Sequence, residues 1–104
     1  MSVIKPIVKI APKITKPLEA VVAKTGSQIL LEATYLGTPE PEVKWYRNGK
    51  EIVTGTKGKV VKTENHKTTL SIPEIARADI GKYEVRAVNE VGEAKSSGTV
   101  AVIG

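Results

Sequence analysis

The chain of 104 residues has no cysteine and no phenylalanine, and only one tryptophan, one histidine and one methionine. Without cysteine there is no disulfide, no thiolate nucleophile and no sulfur ligand for zinc. Small secreted β domains usually carry disulfides, so this absence points to a reducing compartment. The lone His66 has no carboxylate cluster beside it in the sequence. Metal sites need several ligands and a serine nucleophile needs an oriented base, so neither catalysis nor a metal or other cofactor is expected. A Gly-x-Gly-x-x-Gly motif is missing, and "GTKGK" at 55–59 lacks the spacing of a phosphate loop. No run of 18 apolar residues exists, so no transmembrane segment is expected. The opening "MSVIKPIVKI" has neither the apolar core nor the small-residue cleavage site of a secretory leader.

What is present is β-branched. Val, Ile and Thr abound, with nine glycines and six prolines, a composition that favours an all-β domain. The length suits one domain, large enough to bury a core without a disulfide or metal. The net charge is +5, unevenly placed. Lys5, Lys9, Lys13, Lys16 and Lys24 face only Glu19 in the first 24 residues, and the remainder is close to neutral. A nucleic-acid-binding face needs clustered basic side chains on the body of the domain, so none is expected.

Residues 1–17 contain Pro6, Pro12 and Pro17, which disfavour helix and favour extended or polyproline-like chain. Residues 1–10 are expected to form a basic, apolar linker and residues 11–104 the domain. Beyond Leu18 the pattern becomes strands and turns. "LEAVVAK" (18–24) reads as a short strand. "SQILLEATYL" (27–36) puts Ile29, Leu31, Ala33 and Tyr35 on one face. "GTPEPE" (37–42) reads as a turn, and "VKWYR" (43–47) turns Val43 and Trp45 to one side. Asn48-Gly49 is a tight-turn dipeptide before the edge piece "KEIV" (50–53). "KVVKTE" (59–64) and "TTLSIP" (68–73) bracket a hairpin, with Leu70 and Ile72 inward. "EIARADIG" (74–81) allows one helical turn, after which Tyr83, Val85 and Ala87 alternate inward. "AKSSGTVAVI" (94–103) closes the sheet. Short strands at regular spacing indicate a two-sheet sandwich.

Four stretches in order carry a resemblance: "GSQILLEA" (26–33), "GTPEPEVKWYRNGKEI" (37–52), "TTLSI" (68–72) and "DIGKYEVRAVNEVGE" (79–93). Together they resemble the immunoglobulin superfamily, specifically its I-set type, over residues 11–103. The resemblance implies an all-β Greek-key sandwich in which Trp45 packs between the sheets. Ala33 and Val85 occupy the positions that carry the inter-sheet disulfide elsewhere in the superfamily, and Tyr83 stands two residues before the second of them. It also implies that the Tyr83 hydroxyl, at the Asp79-x-Gly81 corner, bonds to backbone a few residues upstream. The expected structural residues are therefore Ala33, Trp45, Leu70, Asp79, Gly81, Tyr83 and Val85. A fibronectin type III sandwich is the alternative, but it does not usually join the Pro-x-Pro-x-x-x-Trp strand to this corner.

Similar domains occur in giant muscle cytoskeletal proteins such as titin, twitchin, projectin, kettin and obscurin. The resemblance implies a cytoplasmic structural and protein-interaction module of the sarcomere or cytoskeleton, monomeric in isolation. Its expected neighbours are other immunoglobulin or fibronectin domains, and actin or myosin filaments are further candidate partners. Binding to actin or an anionic membrane, as in a smaller cytoskeletal protein, is one alternative, and an extracellular adhesion domain is another. Candidate contact residues are Lys5, Ile7, Lys9, Ile10 and Lys13 in the greasy, lysine-rich opening, and Glu40 and Glu42 in the acidic "PEPE" turn.

Overall fold

The computed structural model describes residues 8–55 and 59–104. Their alternating apolar residues build β1 (Ile10–Lys16), β2 (Val21–Lys24), β3 (Ile29–Thr38), β4 (Glu42–Arg47), β5 (Lys50–Ile52), β6 (Val60–Glu64), β7 (Lys67–Ile72), β8 (Gly81–Val88) and β9 (Glu93–Ile103). One sheet has the order β1-β3-β7-β6 and the other β2-β9-β8-β4-β5. All pairings are antiparallel except β2 with β9. The fold is the expected two-sheet sandwich. Two hairpins close through two-residue turns at Asn48-Gly49 and Asn65-His66, all four residues having positive φ. Those dihedrals match the right-handed twist of the flanking strands.

Several boundaries differ from the sequence expectation. Ile10, assigned above to the linker, is the first residue of β1 and lies opposite Thr38. The proline-dense stretch after it is a paired strand. Pro12 has no N–H to donate, and it falls inside the register irregularity between Ile10 and Lys13, where no ladder bond is required of it. The "LEAVVAK" strand is shorter than expected, pairing only from Val21. β3 runs on to Thr38, so the loop before β4 holds only Pro39, Glu40 and Pro41. Gly37 permits that compact path, since a Cβ there would meet the Pro41 ring at 2.7 Å.

Ala33, Leu70, Tyr83 and Val85 have no exposed surface and Trp45 has 1%. Trp45 lies opposite Val85 on β8, and Ala33 lies opposite Thr68 on β7. The Trp45 Nε1–H donates to Thr68 Oγ1 at 2.8 Å, and Thr68 Oγ1 shares a second bond of 3.0 Å with Thr63 Oγ1. One hydrogen bond thus joins the two sheets beside the positions where a disulfide would stand.

The corner before β8 is a single 3₁₀ turn, Arg77–Asp79. The Tyr83 hydroxyl donates to the Asp79 carbonyl at 2.7 Å, as the resemblance implies. The Asp79 carboxylate accepts from the Ala76 N–H at 2.9 Å and pairs with Lys59 Nζ at 3.1 Å, with both side chains nearly buried. Lys59, expected as the first residue of a strand, precedes β6 and ties its start to the corner. Removing one partner of a buried pair strands the other charge, so Asp79→Asn should cost about 3–5 kcal/mol. Adding Lys59→Met should recover much of that loss. Urea unfolding of the single and double variants checks this, and a wild-type midpoint for Asp79→Asn would contradict it.

Candidate interaction site at the N-terminal end of the sandwich

One end of the sandwich gathers the start of β1, the β3–β4 loop, the Asn65-His66 turn and the turn from β8 to β9. Asn89 holds three of these together. Its Nδ2 donates to the carbonyls of Ile10 (2.9 Å) and Pro39 (3.1 Å), while its Oδ1 accepts from the N–H groups of Val91 (2.9 Å) and Gly92 (3.2 Å). An asparagine readily bonds backbone two residues on, which fixes its own turn. Here the other half of the amide also fixes the direction in which the chain enters the domain. Lys9 adds an ion pair with Glu90 at 3.1 Å, but both side chains are about half exposed, so this contact contributes little.

Beside this clamp lies a second cluster. The Tyr35 hydroxyl donates to Glu40 Oε1 at 3.1 Å, and His66 Nδ1 stands 4.0 Å from Glu40 Oε2. The Tyr35 and His66 rings meet edge to face, and the Tyr35 N–H donates to the His66 carbonyl at 2.8 Å. His66, isolated in the sequence, thus has one carboxylate beside it in space. Among the described residues no group of three or more His, Cys, Asp and Glu is placed to hold a metal. Nor is any helix there long and apolar enough to cross a membrane.

The expected contact residues separate. Lys9, Ile10 and Glu40 lie at this end, Ile10 bonded to Asn89, Lys9 to Glu90 and Glu40 to Tyr35. Lys13 is exposed on the outer face of the first sheet, opposite Leu36. Glu42 is exposed at the start of β4, 3.7 Å from Lys44. It borders a shallow depression shared with Tyr46, Arg86, Val88 and Glu93, where the Arg86 guanidinium lies over the Tyr46 ring. Lys5 and Ile7 lie outside the described residues. Exposed apolar side chains complete the end: Val8, Ile10, Val88 and Val91 are each 41–62% accessible. The sequence reading misses Asn89, Glu90 and the Tyr35–His66 contact. The Asn-x-x-Gly spacing of "NEVG" is the available signal for the first.

Burial first, then the hydrogen bond to Glu40 and its charge, push the Tyr35 hydroxyl up to about 12. Burial, with Asp79 adding and Arg47 opposing, does the same for Tyr83. An unfolded tyrosine titrates near 10. The folded pKa values are raised, so the linked stability is complete below about pH 10 and is lost as pH rises through about 12. Glu40→Gln should lower the Tyr35 value while leaving it above 10, because burial is the larger cause. Phenolate absorbance during alkaline titration checks this. Tyrosines that all ionise near 10, or a Tyr35 titration untouched by Glu40→Gln, would contradict it.

With the geometry established, comparison with known proteins gives a consistent result. The Immunoglobulin I-set domain family matches residues 12–102. The chain is 50% identical over 92 residues to Titin of Drosophila melanogaster, which spans 88% of this chain but, to the nearest per cent, 0% of that protein. It is 43% identical over 93 residues to Muscle M-line assembly protein unc-89 of Caenorhabditis elegans, covering 88% of this chain and 1% of that protein. Among solved structures, titin domains z1z2 in complex with telethonin align with a TM-score of 0.89 and 36% identity, over 92% of this chain and 49% of that one. The chain therefore spans only a small fraction of these muscle proteins, and it belongs to the immunoglobulin I-set family.

Proposed function

We propose that the domain is one non-catalytic unit of a tandem array in a large muscle scaffold protein, working in the cytoplasm at the sarcomere. In this reading the N-terminal end receives the preceding domain, with the residues before Ile10 as the connection. The observation that carries it is the Asn89 clamp. A clamp on the Ile10 carbonyl has little purpose in a domain whose incoming chain is free to swing, but it sets the approach angle of a tethered neighbour. The apolar side chains of Val8, Ile10, Val88 and Val91 around it offer contact area. The likeness to titin and unc-89 supports the setting, and the complex of titin z1z2 with telethonin supports a protein-binding role for this class of domain. Docking on an acidic filament or membrane is less favoured, because Lys9 and Lys16 already face Glu90 and Glu32.

The test is the natural two-domain fragment, comparing wild type with Asn89→Ala by small-angle scattering and residual dipolar couplings. Each domain is expected to stay folded while the angle between them becomes broadly distributed. The loss of the capping bonds should cost the domain itself about 1–2 kcal/mol. A wild-type fragment with no preferred angle, together with cosedimentation of the single domain with actin filaments, would overturn the reading.

A further inference from the structure

Asn48-Gly49 closes the β4–β5 hairpin with φ values of +50° and +84°. Asn followed by Gly is the pair most open to spontaneous deamidation, because no side chain shields the following amide nitrogen. Nothing lies within 4 Å of where a Gly49 Cβ would be, so the turn is open to water. Yet Asn48 is held on β8 by both its backbone and its side chain. Its N–H donates to the Lys82 carbonyl at 2.9 Å, and its Oδ1 accepts from the Lys82 N–H at 3.0 Å. The side chain sits directly over Gly81, where an added Cβ would meet Nδ2 and Oδ1 at 2.8 Å. Gly81 has a φ of +159°, which side chains rarely adopt, and the close approach of this amide is a second reason for glycine there.

We propose that Asn48 is a site of spontaneous modification whose chemistry is gated by release of the β4–β5 turn from β8. In the reaction the Gly49 backbone nitrogen attacks Asn48 Cγ. A C–N bond forms, the Cγ–Nδ2 bond breaks, and ammonia leaves with the proton from the Gly49 nitrogen. Water then opens the resulting succinimide to aspartate or isoaspartate. The amide must leave Lys82 before Gly49 can reach its carbon, so the closed turn protects it. Either product adds a negative charge. Isoaspartate also inserts a carbon into the backbone, so the turn no longer presents its acceptor to Lys82. The modification therefore records openings of this corner irreversibly. Asn65 and Asn89 are followed by His66 and Glu90, whose side chains shield the attacking nitrogen.

The experiment is prolonged incubation of the whole chain in mildly alkaline buffer, followed by peptide mass spectrometry with fragmentation that separates aspartate from isoaspartate. In the folded protein, modification at Asn48 should be at least about tenfold slower than in the urea-unfolded chain, and should accelerate with sub-denaturing urea as local opening rises. Asn48 should be modified ahead of Asn65 and Asn89. Gly81→Ala, which displaces the amide from Lys82, should speed the folded-state reaction several-fold, with folding verified by Trp45 emission. The wild-type comparison stands whether or not that variant folds. Equal rates in folded and unfolded chains, faster reaction at Asn65 or Asn89, or a folded Gly81→Ala with the wild-type rate would each overturn the proposal.

Discussion

The hydrogen bond from the Trp45 indole to Thr68 is the contact on which the rest of the sandwich is arranged. Burying an indole N–H without an acceptor costs more than a typical hydrogen bond returns, so the partner must be present wherever the ring is fully enclosed. Thr68 supplies it from the facing sheet, directly opposite Ala33. The pair is therefore a directional link in a core otherwise held by apolar contacts that specify volume more than register. A disulfide at Ala33 and Val85 would add a covalent link at the same level. In its absence the threonine is the polar link between the sheets at the centre of the core, with the Lys59–Asp79 pair and the Asn89 amide joining them at the two ends.

The two ends of the sandwich are secured by different chemistry. At the corner before β8, the Asp79 carboxylate, the Tyr83 hydroxyl and Lys59 form a nearly buried, mutually satisfied set, which is rigid because any missing member leaves an unpaired group. At the opposite end Asn89 does comparable work with a neutral amide at the surface, joining three chain segments. A solvated amide clamp is weaker than a buried ion pair and can be remodelled by a neighbour. That difference suits an end that meets another domain and a corner that only has to hold.

Much of the fold was legible because its signals are periodic. Ile29, Leu31, Ala33 and Tyr35 announce β3 by alternation, and the Asp79-x-Gly81-x-Tyr83 spacing announces the corner and the bond it contains. The errors fall where local chemistry and tertiary pairing disagree. Pro12 argues for unpaired chain, yet β3 accepts the strand by slipping register around it. Lys59 was legible only as the start of a strand, and the spatial approach of Asp79 turns it inward. At the candidate site, Lys9, Ile10 and Glu40 were legible as unusual residues, but the asparagine that ties the Ile10 and Pro39 backbone together was not. The "NEVG" spacing marks its local turn bonds, but its bonds to the carbonyls of Ile10 and Pro39, distant in sequence, leave no compositional trace. Lys13 and Glu42 look equivalent to the others in the sequence and are carried to different faces by strand pairing.

The most direct test of the role given to the tryptophan bond is Thr68→Val, which keeps the side chain's shape and removes the hydroxyl that accepts from Trp45 and bonds Thr63; Thr63→Val beside it gives the share of the second bond. Equilibrium urea unfolding, followed by Trp45 fluorescence, should show a fall in stability of about 1–3 kcal/mol, the cost of leaving a buried donor unpaired. The denaturant slope should be unchanged and the native emission should still be that of a buried indole. A variant as stable as the wild type, or more stable, would contradict the account and place the alignment of the sheets in apolar packing alone.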